Sequence, residues 1–195
     1  MHFLHSHMKL IQINDLSAQD IRSIWNLATK PSTPPKGNVA WSFEGNGIRT
    51  RTTFIQAFRE LNLSFVELPN LLKTNERVAD LAGYLDPFYD IYVIRDSNHE
   101  RLTEFANASH RPVVNAMSSQ GHPCEVLTDA YSIEKKLTCF QVSKFACGVQ
   151  RPMSSGLGMN WLAFLILNWF TCAVLNFTKL FRMFISVKIM TNQSM

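Results

Sequence analysis

Short apolar runs rich in β-branched and aromatic residues alternate along this chain with amphipathic segments at helical spacing, and no other feature restricts its fold as much. The runs are Asn38–Phe43, Leu63–Leu68, Asp90–Arg95 and Arg111–Ala116. The segments between and around them are 16–28, Thr52–Leu61, Asn70–Leu85, His99–Ala108 and Glu125–Lys135. Ser17 is suited to cap the first helix, with Asp20 three residues on as its reciprocal partner. Ile21, Ile24, Trp25 and Ala28 then fall on one face. Strands that alternate with helices form a parallel sheet covered by helices on both faces. The expected fold class is therefore α/β, and its ligands bind beyond the carboxyl ends of the strands.

Three features fall at that edge. The first is Phe43-Glu44-Gly45-Asn46-Gly47-Ile48-Arg49-Thr50-Arg51-Thr52-Thr53-Phe54, a strand end, a glycine turn and a helix start. The N–H groups of a first helical turn lack intrahelical partners, and the helix dipole adds partial positive charge there. Arginine forks and threonine hydroxyls supply further donors that suit phosphate oxygens. The plainer reading of the same residues is a solvated helix face.

The second feature is Arg95, which closes a strand; its plainer reading is a surface pair with Asp96 or Glu100. The third is Gly121-His122-Pro123-Cys124-Glu125, where Pro123 suits a first helical position and would hold the His122 imidazole over the sheet edge. A neutral histidine can donate to a carbonyl oxygen that gains negative charge. Cys124 at a helix start is a candidate nucleophile, although no partnering base is evident. Glu125 also suits the helix dipole without any further role.

Charge and cysteine usage narrow the classes. The 195 residues carry a net charge of +4 and a pI near 9.0, with no dense Lys/Arg run. That argues against nucleic acid and fits a small anionic substrate. Cys124, Cys139, Cys147 and Cys172 show no CxxC spacing, and no secretory signal precedes them. They read as reduced thiols of a cytoplasmic protein. His2, His5 and His7 resemble a metal-binding tail, but no other ligands lie near, and Met8 is a possible start that would remove them. Neither a metal nor a cofactor is expected.

In register, these features resemble the aspartate and ornithine carbamoyltransferases, the ornithine branch most. The carbamoyl-phosphate loop of that family reads Phe-x-x-x-Ser-Thr-Arg-Thr-Arg-x-Ser-Phe. Phe43, Arg49, Thr50, Arg51, Thr53 and Phe54 fall on it, with Thr53 at the serine. The family's arginine after a hydrophobic strand matches Arg95 in Ile91-Tyr92-Val93-Ile94-Arg95. Its His-Pro-x-Gln matches His122-Pro123-Cys124-Glu125, followed by Val126-Leu127-Thr128-Asp129. The resemblance implies that Arg49 and Thr50 bind the phosphate of carbamoyl phosphate and that Arg51 braces the loop. It implies that Arg95 and His122 hold the carbamoyl oxygen while an amino-acid amine attacks. It further implies arginine biosynthesis and a homotrimer in which a neighbour's loop completes each site.

Two positions depart from the pattern. Gly47-Ile48 stands where the family has Ser-Thr, and Glu125 stands at the glutamine. An ionised carboxylate accepts but cannot donate, and it repels an anion. It remains able to accept from a substrate amide or amine.

The resemblance covers roughly residues 10–135, giving an expected carbamoyl-phosphate domain at 8–137. A second, amino-acid-binding domain should follow, opening on a strand such as Lys-Ile-Cys-Leu-Trp-Gly-Pro. The chain instead continues as 138–195, a hydrophobic helical or disordered tail. Codons for Gly148 to Trp161 can be chosen so that the same bases, read from the third base of Val149, encode Pro-Thr-Thr-Asn-Val-Phe-Arg-Ala-Trp-His-Glu-Leu-Ala. A single frameshift between about Ile133 and Ser143 is the expectation, testable by sequencing the gene. On this reading the apolar stretch Trp161–Leu175 is not a membrane anchor, being also shorter than the ~20 residues a span needs. The rival reading is a non-catalytic, membrane-tethered α/β phosphate-binding protein. A carbamoyltransferase-like enzyme acting on a different amine is the second.

Overall fold

The computed structural model describes residues 9–28 and 36–136. The histidine tail at 2–7, the tail at 138–195, the apolar segment 161–175 and the expected frameshift lie outside them. No helix among the described residues is long and apolar enough to cross a membrane.

Five parallel strands, β1 (Lys9–Leu10), β2 (Asn38–Phe43), β3 (Ser64–Glu67), β4 (Ile91–Arg95) and β5 (Val113–Met117), form one sheet in the order β1-β5-β4-β2-β3. The helices are α1 (Ala18–Ala28), α2 (Ile48–Glu60), α3 (Val78–Leu85), α4 (His99–Ala108) and α5 (Pro123–Lys136). The expected α/β architecture with helices on both faces is the one observed. Strand alternation divides the core into two layers. Val39, Trp41, Phe43, Ile91, Val93 and Val114 pack under α1, α2 and α5, whereas Ala40, Tyr92, Ile94 and Val113 pack under α3 and α4. Phe54, Phe58 and Phe105 are fully buried. Each such phenyl ring stabilises the fold by ~1.5–3 kcal/mol relative to exposure.

Ser17 and Asp20 form the expected reciprocal cap: the Asp20 N–H donates to Ser17 Oγ (3.2 Å), and the Ser17 N–H donates to Asp20 Oδ2 (2.9 Å). Some elements differ from expectation. Lys9–Leu10 forms an edge strand too short for its periodicity to be read. The continuous helix expected over 70–85 is a 3-10 turn at Leu71–Lys73 followed by α3. Asn70 takes a left-handed backbone (φ 56°), and Ser42 Oγ accepts from the Leu71 N–H. Lys73 is drawn to the acidic groups described below.

Candidate functional site

The carboxyl ends of β2, β4 and β5 lie side by side. Phe43 is in register with Arg95, and Arg95 with Met117. Ile94 pairs with Asn115, so β5 carries one extra residue at this point, which re-aims the strand end. Pairing continues into the turns, where the Glu44 N–H donates to Arg95 O (2.8 Å) and the Asp96 N–H to Met117 O (3.1 Å).

Gly47 precedes α2 with a left-handed backbone (φ 29°), and the Arg51 N–H donates to its carbonyl (2.9 Å). The helix starts at Ile48, four residues before the apolar pattern suggests, so Arg49, Thr50 and Arg51 occupy its first turns. Arg49 is exposed there. Arg95 Nη1 donates to Thr50 Oγ1 (3.2 Å), which joins β4 to the glycine turn. The surface pair expected with Asp96 or Glu100 is not the arrangement found, since Asp96 accepts from Lys73 Nζ (3.0 Å). Arg51 turns away toward β3. It donates to Glu67 Oε1 (2.5 Å) and to Gly45 O (3.5 Å), and its guanidinium lies 4.8 Å from the Trp41 ring centroid and 5.6 Å from that of Phe43. These contacts hold the turn against the sheet. The Thr52 and Thr53 hydroxyls donate back to the carbonyls of Ile48 and Arg49 (2.8 Å each).

A charged group that sequence reading missed fixes the turn from behind. Lys73 Nζ reaches both Glu44 Oε1 (3.1 Å) and Asp96 Oδ1 (3.0 Å). Glu44 Oε2 also accepts from the Ser97 N–H (2.6 Å). The Ser97 hydrogen bonds first, and then Lys73, bring the Glu44 carboxyl down to about 2. The Lys73 ammonium is held above its usual range by hydrogen bonds to Asp96 and Glu44. No spacing rule flags this trio, because its members come from three separate segments.

The turn after β5 is closed by an antiparallel bridge between Ser118 and Gly121. Ser118 Oγ contacts His99 Nδ1 (2.8 Å), and Asn115 Nδ2 donates to Ser118 Oγ (3.1 Å). Pro123 opens α5, and His122 O accepts from the N–H groups of Glu125 and Val126. His122 is thereby fixed at a helix start with its ring largely covered. Burial pushes its pKa down, against the raising effect of Glu125 and with a smaller contribution from the Arg95 charge, so the neutral ring is favoured. Its Nδ1 has no hydrogen-bond partner among the described residues, and its Nε2 lies 3.6 Å from Glu125 Oε2. Glu125 is exposed.

Cys124 does not fit the nucleophile considered from sequence. It is buried beneath α5, its Sγ donates to Asn115 O (3.6 Å), and burial pushes its thiol up to about 12. Asp129, one turn beyond Glu125, is raised to about 6 by burial and then by the Glu125 charge.

A parallel sheet whose carboxyl edge carries an arginine-flanked helix start and a largely covered histidine defines an α/β anion-binding domain. Residues 8–135 match the carbamoyl-phosphate-binding domain of the aspartate/ornithine carbamoyltransferases, and the chain belongs to that family. It is 35% identical over 133 residues to the anabolic ornithine carbamoyltransferase of Campylobacter jejuni, covering 64% of this chain and 44% of that protein. It is 31% identical over 143 residues to the ornithine carbamoyltransferase of Methanopyrus kandleri, covering 66% and 46%. The fold superposes on the Campylobacter jejuni enzyme structure with a TM-score of 0.60 at 33% identity, over 66% of this chain and 46% of that one. For the Pyrococcus furiosus ornithine carbamoyltransferase the TM-score is 0.62 at 27% identity, over 67% and 46%. The chain thus spans a little under half the length of these relatives.

Proposed function

We propose that this chain binds carbamoyl phosphate and presents its carbamoyl group to the amine of an ornithine-like amino acid. The observation that carries the reading is the Arg95–Thr50 hydrogen bond, which joins the strand-end arginine to the glycine turn beside a largely covered His122 whose neutral form burial favours. Arg49, Thr50 and the N–H groups of the first turn of α2 take the phosphate, and Arg51 braces the turn. Arg95 and the protonated nitrogen of His122 donate to the carbamoyl oxygen. Attack by the amine forms the new C–N bond and places negative charge on that oxygen. Collapse then breaks the C–O bond, phosphate leaves with the electron pair, and the ammonium passes its proton to the departing phosphate. The site accelerates this by orientation and by donors set where charge develops, without a covalent enzyme intermediate. Glu125 accepts from the carbamoyl amide or the incoming amine.

The ornithine carbamoyltransferase relatives support the acceptor class, and the word anabolic in one name supports a place in arginine biosynthesis. Assembly as a homotrimer and a cytoplasmic setting complete the reading. The residues that choose the acceptor lie beyond the described ones, and sequencing across the codons for 133–143 tests whether a shifted frame carries them. Calorimetric titration of carbamoyl phosphate tests the binding claim. Saturable binding that Arg49→Ala weakens about tenfold, equivalent to ~1.4 kcal/mol, is the expected result. Absence of heat at millimolar ligand refutes it.

A further inference from the structure

We propose that Gly47 is a positioning residue: having no side chain, it admits the Arg95 guanidinium into the β2–α2 turn. The guanidinium donors then occupy the space that a residue-47 side chain would fill. A Cβ built on Gly47 would lie 2.8 Å from Arg95 Nη1, 3.0 Å from Cζ and 3.3 Å from Nε. Three atoms of one planar group meet that point, so the guanidinium lies alongside the Gly47 Cα. Arg95 is held there from both ends. Its backbone is fixed by pairing with Phe43 and by the Glu44 N–H, and its Nη1 is anchored on Thr50 Oγ1. A side chain at 47 therefore displaces the guanidinium from Thr50.

The first glycine of the turn supplies an internal contrast. Gly45 is also left-handed (φ 68°), yet a Cβ there would meet nothing within 4 Å. Backbone freedom explains a glycine at 45, whereas 47 carries a steric requirement as well. This gives the departure at Gly47 a chemical meaning. Where the family pattern places a serine hydroxyl, this chain places a charged group whose N–H donors suit an oxygen that gains negative charge. For its ligand this inference rests on the proposed carbamoyl-phosphate reading.

The test compares Gly47→Ala with Gly45→Ala in the full chain. One readout is calorimetric affinity for carbamoyl phosphate, and the other is the NMR resonance of the Arg95 Nε–H, assigned by its loss in Arg95→Gln. Gly45→Ala measures left-handed strain alone. Gly47→Ala is expected to cost at least about tenfold more affinity than Gly45→Ala and to move the Arg95 resonance. In an Arg95→Gln background, Gly47→Ala is expected to add less than about twofold. Equal losses at 45 and 47, or additive losses with Arg95→Gln, overturn the proposal. Should the parent chain bind no carbamoyl phosphate, the functional reading fails by itself. The resonance then decides alone: moved by Gly47→Ala but not by Gly45→Ala it upholds the positioning role, and unmoved by Gly47→Ala it refutes it. Should Gly47→Ala not fold, Gly47→Ala/Arg95→Ser removes the clash. Recovery of folding then supports the conflict, and continued failure assigns the defect to backbone strain and overturns it.

Discussion

The β2–α2 and β5–α5 turns stand at the same sheet edge but are finished differently. Around the first, nearly every charged group has its counterpart within the chain: Lys73 with Glu44 and Asp96, Arg51 with Glu67, Arg95 with Thr50. Around the second, polar groups are held at a cost. The His122 Nδ1 is buried and unpartnered among the described residues, and Asp129 is held toward its neutral form by burial and by Glu125. Desolvation without partners destabilises a fold, and such groups concentrate where a ligand or reacting atom supplies what is missing. On the proposed reading, the prearranged turn captures the anion and the turn with the less satisfied groups polarises the carbonyl.

The largest effect that could break this division is on affinity. Arg49→Ala/Thr50→Ala should weaken inorganic phosphate binding by about a hundredfold, while His122→Asn should change it by less than about threefold. Comparable losses in calorimetry would dissolve the distinction between the turns. Next is Lys73→Met, which strands Asp96, a carboxylate whose side chain is only 5% exposed. Asp96 keeps the Asn98 N–H (2.8 Å), so the expected loss of unfolding free energy is ~1–2 kcal/mol, measured in urea.

Asp129→Asn probes the other turn with the opposite sign. A carboxyl raised to about 6 in the fold binds its proton more tightly there than when unfolded. Wild-type stability therefore falls as pH rises from about 4 through 6. The variant escapes that loss and should be more stable above pH 6, by on the order of 1 kcal/mol, with no such advantage below pH 4. Denaturation at pH 4 and pH 7 checks this, and an advantage independent of pH would point to packing instead. The smallest effect belongs to Glu44, a partly exposed group screened by water. Its carboxyl is depressed to about 2, so its contribution is fully present above 4.5 and lost as pH falls through about 2. The stability gap between wild type and Glu44→Gln should close over that range, and a gap that persisted at pH 2 would exclude the charge as its source.

The sequence made the layered fold legible because β2, β4 and β5 are buried on both faces and read as largely apolar runs. Arg95 and His122 were legible as strand-end and helix-start residues, since each is fixed by its immediate chain neighbours. What escaped was set by contacts between distant segments. Asn70–Leu85 looked like one helix because its apolar spacing is helical, yet Ser42 and the Lys73 ion pairs break it into two. Cys124 looked reactive because a helix start favours a thiolate, yet the sheet buries it. The role of Gly47 emerges only once Arg95 is seen lying against it.

Phosphonoacetamide, in which a methylene replaces the labile bridging oxygen of carbamoyl phosphate, allows the most direct test. A crystal structure of the chain with this compound should place the phosphonate on Arg49 and Thr50, with the amide oxygen within hydrogen-bonding distance of Arg95 and His122. A phosphonate bound away from the first turn of α2, or an amide group facing away from His122, would contradict the account.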